Sequence, residues 1–256
     1  MISYLFIAFI FGSCVGSFLN VVVDRMVRGE SILGWSYCDH CATTLSALDL
    51  VPIISFIGLG ARCRRCGKKI SWQYPIVETI TAILFTLALY VLTAGNLLSI
   101  PLLTYWYFLI AIAIIVAVVD FKYSLIPTTF VFFASLVALF YSFFSYYPAL
   151  FVEHVTSAFG ASILFLVIVV LTKGRGMGSG DIVLGFLMGM VLGLRGTFLA
   201  LFVAFFSGAV IALLLVALGK KKFGQTVPFA PFLVFGLIVG LFWTNEIIGW
   251  YLGMLY

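Results

Sequence analysis

Charged residues are scarce in this sequence. Only 9% of its 256 residues are Asp, Glu, Lys or Arg, compared with roughly 25% in soluble globular domains. The hydrophobic share is 64% and the chain contains 27 Phe. These values exclude an ordinary soluble domain and indicate a protein that crosses a membrane several times. The net charge of +5 does not indicate a nucleic-acid partner, because the basic residues lie in short loops between apolar runs.

Histidine is nearly absent as well, with only His40 and His154 in the chain. No His-Glu-x-x-His segment occurs, which excludes the common zinc-protease helix. Ser179 lies between glycines, but the histidines are expected in a cytoplasmic and an external loop, so a serine nucleophile lacks its base. No glycine-rich Rossmann motif of the kind found in soluble methyltransferases follows a predicted strand.

Long apolar runs dominate what is present. A membrane-crossing helix needs about 20 apolar residues. About eight such runs occur, at 2–23, 76–94, 101–119, 126–147, 157–172, 182–194, 197–218 and 229–250. The first run has no basic segment and no small-residue cleavage site before Asp24, so we expect a retained helix rather than a secretory signal.

The sequence therefore predicts an all-α polytopic membrane protein with about eight transmembrane helices. Three parts are expected: a first transmembrane helix at 1–23, a small polar, cysteine-rich insert at 24–74, and a seven-helix membrane domain at 75–256. All but one of the 14 Lys and Arg fall in the insert or in the loops after the third, fifth and seventh runs, the exception being Arg195. Loops rich in Lys and Arg face the cytoplasm. We therefore expect a cytoplasmic insert in the cytoplasmic (inner) membrane, with both termini outside.

This topology brings two acidic residues to the same depth. Asp120 ends the third run, which goes inward, and Asp181 begins the sixth, which goes outward. Acids at the edge of a membrane span are functional candidates. The segment before Asp181, Gly176-Met177-Gly178-Ser179-Gly180, contains glycines that allow the backbone to approach a neighbour closely.

Two carboxyl groups held close in a medium of low dielectric constant share one proton. The ionised group can then activate a water molecule while the protonated group polarises a carbonyl, as in aspartic proteases. The sequence thus predicts Asp120 and Asp181 as a catalytic pair. Each has a plainer interpretation, with Asp181 as the cap of the sixth helix and Asp120 as an interfacial acid near Lys122.

Four cysteines of the insert form two Cys-x-x-Cys pairs, Cys38 with Cys41 and Cys63 with Cys66. This spacing is typical of a tetrahedral four-cysteine zinc site. Two disulfides are the alternative, but disulfides rarely persist in the reducing cytoplasm. We expect structural zinc, because a polar insert of roughly 50 residues has little apolar core and a bound metal takes its place.

Several motifs together resemble the bacterial type IV prepilin peptidases, or prepilin leader peptidase/N-methyltransferases, which are Gly-x-Gly-Asp intramembrane aspartyl proteases. The resemblance covers nearly the whole chain. Besides the two Cys-x-x-Cys pairs, the matching segments are Gly12-(x)3-Gly16-Ser17-Phe18-Leu19-Asn20-Val21, Asp49-Leu50-Val51-Pro52 with Ser55, Tyr74-Pro75 with Glu78, Asp120 with Ile126-Pro127, Gly178-Ser179-Gly180-Asp181, and Pro228-Phe229-Ala230-Pro231-Phe232. Two positions depart from the family pattern, Val183 where Lys is usual and Ala230 where Gly is common.

The resemblance implies an enzyme of type IV pilus and type II secretion systems. Members of this family cleave the basic leader of prepilins and pseudopilins just after a glycine, here with Asp120 and Asp181 as the expected catalytic residues. They then methylate the new amino terminus with S-adenosyl-L-methionine. We expect Gly178, Gly180 and Pro127 to support the active site. The expected partners are these substrates and the lipid bilayer, with no nucleic acid.

Four further residues are assigned to a substrate or methyl-donor region, namely Gly16, Ser17, Asn20 and Glu78. The first three lie within about one helical turn, a pattern that is also typical of plain helix packing with an interhelical hydrogen bond. Glu78 is expected to meet either a leader Lys or Arg or a base of a neighbouring loop. Two other functions stay open: a peptidase without methyl transfer, and a non-enzymatic transporter or assembly scaffold, which would favour acids near mid-membrane.

Overall fold

The computed structural model describes residues 2–174, 177–220 and 227–255, so Gly176 and the basic loop residues Arg175, Lys221 and Lys222 lie outside the described residues. The regular structure in this part of the chain is helical apart from two isolated β-bridges in the insert, which confirms the predicted all-α class. The elements are α1 Ile2–Arg28, a 3₁₀ helix Ala47–Leu50, α2 Ile54–Gly58, α3 Gln73–Ala94, α4 Ile100–Tyr123, α5 Thr128–Ser145, α6 Pro148–Leu171, α7 Ser179–Ala217 and α8 Ala230–Leu255. Seven of the described helices are long and apolar enough to cross a bilayer.

Helix α7 accounts for two of the predicted crossings. Its Gly193 has φ 64° and ψ −171°, a combination that is essentially restricted to glycine. Phe165 of α6 lies next to two residues of α7. A Cβ added at Gly185 would lie 2.5 Å from the Phe165 ring, and the ring centroids of Phe165 and Phe205 are 6.3 Å apart. In a straight helix Gly185 and Phe205 would be about 30 Å apart. The helix therefore turns back at Gly193, and its halves correspond to the predicted sixth and seventh runs.

His154, which we expected in an external loop, lies inside α6 and is buried. Its Nδ1 is 2.9 Å from the Met190 carbonyl oxygen, and the ring faces Gly193. The expectation was wrong because the polar residues before 157 break the apolar run. The helix nevertheless begins at Pro148, a residue that suits the first helical turn. His154 thus packs at the turn of α7.

The chain divides into two compact units, Met1–Ile115 and Val116–Tyr256. In the first unit α1 packs closely along α3. A Cβ added at Gly12 would lie 2.8 Å from the Ala82 Cα, and one added at Gly16 would lie 2.7 Å from the Glu78 Cα. Small residues four positions apart let two membrane helices approach closely.

In the second unit α7 packs against α6 and α8 by the same means. A Cβ added at Gly189 in the first half would collide with the Ala158 backbone of α6, and one added at Gly236 of α8 would collide with the Ala200 carbonyl oxygen in the second half. The halves of α7 therefore have glycine-mediated backbone contacts, and this unit carries both candidate acids.

Candidate active site and cysteine centre

Asp120 lies in the last turn of α4 and is only 5% exposed. Its Oδ2 accepts a hydrogen bond from the backbone N–H of Ala230 at 3.0 Å. Ala230 is the first residue of α8, and the first amides of a helix have no partner within the helix. Asp120 therefore binds the amino-terminal end of α8, where the helix dipole favours a negative charge.

Asp181 lies in the first turn of α7 and is 4% exposed. Its Oδ2 accepts a hydrogen bond from the Gly178 N–H at 3.0 Å, which is the capping contact of the plainer interpretation. Its Oδ1, in contrast, is buried and has no hydrogen-bond partner among the described residues. An unpaired buried oxygen is costly, and it offers a position for a shared proton, a water molecule or a substrate group.

Ile126 and Gly180 connect the two aspartate motifs. The segment after α4 passes so close to the start of α7 that a Cβ at Gly180 would lie 2.6 Å from the Ile126 Cβ. Pro127 follows directly and is the N-cap residue of α5. Gly178 is different, since an added Cβ there would have its nearest contact at 3.9 Å. Of Gly178 and Gly180, only Gly180 is sterically required.

The two carboxyl groups belong to segments that meet where Ile126 contacts Gly180. Both are buried in the second unit, and each has one oxygen bound to a main-chain amide at a helix amino terminus. The sequence did not predict that the Ala230 amide binds Asp120 or that the Ile126 side chain contacts Gly180. Both residues lie inside segments that match the family's motifs, but a motif does not show which atoms touch.

The four cysteines are positioned to bind a metal ion. The sulfur atoms of Cys38, Cys41, Cys63 and Cys66 all lie within 4.8 Å of one another, and the Cys38 and Cys66 sulfurs are 3.9 Å apart. A tetrahedral ion with bonds of about 2.3 Å would place its sulfur ligands about 3.8 Å apart. All four are free thiols, so the structure contains no disulfide at this cluster.

The two Cys-x-x-Cys loops have the same backbone geometry. The Cys38 N–H donates to the Thr43 carbonyl at 3.0 Å, and the Cys63 N–H donates to the Lys68 carbonyl at 2.9 Å. Each loop is closed by one antiparallel bridge, Tyr37 with Thr44 and Arg62 with Lys69. Two tight hairpins thus present two sulfurs each to a common centre.

The thiols of this cluster differ in acidity. Hydrogen bonds from Thr43 lower the pKa of Cys41 to about 6. A backbone hydrogen bond at Lys68 lowers the pKa of Cys66, but desolvation and the neighbouring thiols outweigh it and raise the value to about 11. Because the thiolate is the ligating form, a bound cation would favour ionisation of the whole set.

Arg25 fixes the segment that leads into the first hairpin. Its guanidinium is buried and donates from Nη1 to the Ile32 carbonyl at 2.9 Å and from Nη2 to the Trp35 carbonyl at 2.8 Å. The sequence indicated only a topology signal at this position. A single Arg in a basic loop does not show that it binds the backbone.

The predicted methyl-donor region lies at the contact between α1 and α3. The Asn20 Nδ2 donates to the Tyr74 carbonyl at 3.2 Å, and its Oδ1 accepts from the Gln73 side chain at 3.3 Å. Glu78 is 7% exposed. Its Oε2 accepts from the Ile53 N–H at 2.7 Å, and the Ser17 hydroxyl also hydrogen-bonds its carboxylate. Among the contacts of the described residues Glu78 pairs with no Lys or Arg.

The fold and these sites define a multi-pass membrane protein with two buried acids in one helical unit and a four-cysteine centre in the other. Residues 10–92, which include the cysteines, match the bacterial peptidase A24 N-terminal domain. Residues 107–213, which include both aspartates, match the type IV leader peptidase family. The two matches follow one another along the chain.

Curated relatives match over nearly the full length. The prepilin leader peptidase/N-methyltransferase of Bacillus subtilis (strain 168) is 33% identical over 97% of this chain and 98% of that protein. The protein of the same name from Legionella pneumophila is 27% identical over 95% of this chain and 93% of that protein. The one from Aeromonas salmonicida (strain A449) is 26% identical over 97% of this chain and 94% of that protein. No solved structure matches the chain. The chain belongs to the type IV leader peptidase family, as the sequence motifs predicted.

Proposed function

We propose that this protein cleaves the leader peptide of type IV prepilins and pseudopilins and then methylates the new amino terminus. The observation that carries the peptidase proposal is the pair of buried carboxyl groups of Asp120 and Asp181, whose segments meet where Ile126 contacts Gly180. The relatives named above support the substrate class and the second activity, because their names state both.

In the proposed hydrolysis the pair shares one proton. The ionised carboxyl group removes a proton from a water molecule, whose oxygen adds to the scissile carbonyl carbon, while the protonated carboxyl group donates to the carbonyl oxygen. Collapse of the tetrahedral intermediate breaks the carbon–nitrogen bond and transfers a proton to the leaving amine. The Oδ1 of Asp181, which has no hydrogen-bond partner within the part of the chain that the structure describes, would supply an acceptor or proton carrier for these steps, while its Oδ2 stays bound to Gly178.

The alternative of a transporter or scaffold is less well supported. A transport site is expected near the bilayer midplane, between broken helices. Here Asp120 lies in the last turn of its helix and Asp181 in the first turn of its own. A substrate helix that is extended at the cleavage point could present its backbone to both groups, because a helical peptide bond hides its carbonyl in a hydrogen bond.

For the cysteine centre we propose zinc in a structural role. Four sulfurs at near-tetrahedral separations are the ligand set typical of structural zinc, and no position is left open for a substrate. The hairpins that carry them have little apolar core, since Cys63 is the one buried apolar side chain among residues 36–45 and 61–70. The metal would hold both hairpins together.

For methyl transfer we propose S-adenosyl-L-methionine as the donor, whose methyl group would pass from its sulfonium sulfur to the new terminal amine, leaving S-adenosyl-L-homocysteine and a proton. The names of the relatives support this step. The proposed donor region remains Gly16, Ser17, Asn20 and Glu78, a set of small and polar residues that share the α1–α3 contact. A peptidase that lacks this activity would release an unmethylated amine.

We further propose that the insert and both carboxyl groups face the cytoplasm, with both termini outside. The Lys and Arg distribution supports this orientation, and eight crossings return the chain to its starting side. The protein would thus lie in the cytoplasmic membrane, where unprocessed prepilins are inserted with their basic leaders on the inner side.

The decisive test is a cleavage assay with a prepilin in membranes that carry Asp120→Asn or Asp181→Asn. We expect each variant to lose about 10²–10⁴-fold in cleavage rate, with normal amounts of folded protein. The matched control is Glu246→Gln, which removes an exposed acid from α8 and should leave cleavage unchanged. Full activity in either aspartate variant would exclude the dyad, and mass spectrometry of the mature amino terminus separates peptidase from peptidase plus methyltransferase.

A further inference from the structure

An apolar groove of about 630 Å³ lies beside α2 in the first unit. Its walls come from α2, from the turn after it, from Trp72 and from the first two turns of α3. The one lining hydroxyl, on Thr79, donates to the Pro75 carbonyl at 2.7 Å. The other lining side chains are apolar apart from the indole N–H of Trp72. The groove is therefore almost wholly apolar and suits a hydrocarbon occupant.

The groove is continuous with a face of α3 that the described residues leave exposed. Ile76, Ile80 and Ile83 follow one another along this helix at 50%, 46% and 52% exposure, and their spacing places them on one face. Trp72, 67% exposed, stands just before the helix, and tryptophan is enriched where bilayer hydrocarbon meets the headgroups. The groove thus opens at the depth where acyl chains begin.

The size of the groove favours a single acyl chain over a substrate helix. A volume of about 630 Å³ is in the range of small-molecule sites, which run from about 300 to 1,000 Å³. An α-helix is about 10–12 Å in diameter with its side chains and would extend well beyond such walls.

A basic cluster borders the groove on the side of the second hairpin. Gly60 and Ala61 line the groove, and Arg62 follows at once, bridged to Lys69. The exposed basic residues here are Arg62, Arg65, Lys68 and Lys69, whereas the neighbouring Arg64 pairs with Asp49 at 2.8 Å. Lys and Arg next to a bilayer attract anionic headgroups.

We propose that this groove holds one acyl chain of an anionic phospholipid whose headgroup binds the basic cluster of Arg62, Arg65, Lys68 and Lys69. The lipid would dock the metal-binding insert on the membrane surface beside α3. Glu78 positions this site, because it holds the Ile53 N–H at the start of α2, and Ile53 lines the groove. This inference is independent of the proposed catalytic activity.

The test uses the full-length protein in nanodiscs whose lipids carry brominated acyl chains, which quench tryptophan fluorescence on contact. The Trp72 signal is obtained as the difference between the unaltered protein and Trp72→Phe. We expect quenching of this signal to saturate at a much smaller mole fraction of brominated phosphatidylglycerol than of brominated phosphatidylcholine. Equal behaviour of the two lipids, or no quenching of Trp72, would overturn the proposal.

Two pairs of variants separate the acyl-chain and headgroup contacts. Ile57→Ser removes a lining side chain that is 72% exposed and should weaken lipid retention about three- to tenfold, whereas Leu48→Ser, at a 70% exposed position outside the groove, should not. Lys68→Gln with Lys69→Gln should reduce the phosphatidylglycerol preference by about tenfold or more, and Lys173→Gln should leave it unchanged. Metal content reports whether each variant is folded. A photo-crosslinker at residue 57 that captures a prepilin instead of lipid would identify the substrate helix as the occupant and reject the lipid.

Discussion

Ile126 rests directly on Gly180, where an added Cβ would lie 2.6 Å from the Ile126 Cβ. The contact joins the segment after Asp120 to the turn that carries Asp181. Ile126 is branched at Cβ, so it cannot move aside at the atom that is touched. The spacing between the two proposed catalytic groups therefore depends on the absence of a side chain at residue 180.

A comparison of the two glycines of this motif tests that dependence. Gly180→Ala should displace the start of α7, cost about 1–3 kcal/mol and abolish most prepilin cleavage. Gly178→Ala should fold normally, because its Cβ has room and its N–H still reaches Asp181. Thermal unfolding of the purified variants and cleavage assays give both quantities. Equal stability of the two variants would contradict the packing argument.

The variants Asp120→Asn and Asp120→Ala should differ in stability, although both should lose the cleavage activity. Asn keeps an acceptor for the Ala230 N–H, whereas Ala leaves this buried donor unpaired, at a cost of about 1–3 kcal/mol. We expect Asp120→Ala to unfold at lower temperature than Asp120→Asn. If the two unfold together, the hydrogen bond to α8 contributes nothing to stability.

The departure at Ala230 from the glycine common in this family should be functionally neutral. The contact with Asp120 is made by the main-chain N–H, so Ala230→Gly should retain both stability and cleavage. Ala230→Pro removes only this donor, since proline suits the first residue of a helix, and it should reduce cleavage strongly while α8 persists. Helical content by circular dichroism and cleavage rate separate the two effects. Normal cleavage by the proline variant would show that this amide has no part in the site.

Loss of a metal ligand should unfold the insert without unfolding the membrane helices. Cys38→Ser should reduce bound zinc to near zero and expose residues 30–70 to protease, because the metal supplies most of the folding free energy of such a centre. Cys14→Ser, at an exposed position in α1, is the control and should change neither quantity. Elemental analysis with limited proteolysis measures both. Full zinc content in Cys38→Ser would exclude the four-cysteine site.

Variants of Glu78 distinguish a positioning role from leader recognition. Glu78→Gln keeps an acceptor for the Ile53 N–H, and Glu78→Ala does not. Ile53 has a φ of 63°, which is strained for a β-branched residue, so we expect Glu78→Ala alone to loosen residues 51–58. Limited proteolysis reports that change. A KM for prepilin that rises equally in both variants, with α2 still ordered, would instead indicate that the carboxylate meets the basic leader.

The helical class, the approximate positions of the membrane-crossing runs and the two aspartate motifs were predictable, because hydropathy and glycine spacing are properties of short segments. The position of His154 was not, since the first turns of α6 are too polar for a hydropathy window. The sequence also predicted separate sixth and seventh runs around Arg195. It did not indicate that Gly193 alone makes the reversal, which depends on its backbone angles.

Contacts between distant segments were the part that the sequence did not reveal. The family motifs include both Asp120 and Ala230, but the hydrogen bond between them depends on how α4 and α8 pack. Similarly, Arg25 was interpreted through its charge, whereas the structure shows a guanidinium that binds backbone carbonyls. Spacing rules did predict the cysteine cluster, because its ligands come from two short hairpins.

The unpartnered oxygen of Asp181 has a consequence for the design of inhibitors. Among the described residues no donor reaches this atom, so a compound that places a hydroxyl group there gains a hydrogen bond without displacing one of theirs. A peptide mimic with a secondary alcohol in place of the scissile amide would resemble the tetrahedral species of hydrolysis, and such analogues bind far more tightly than substrates do.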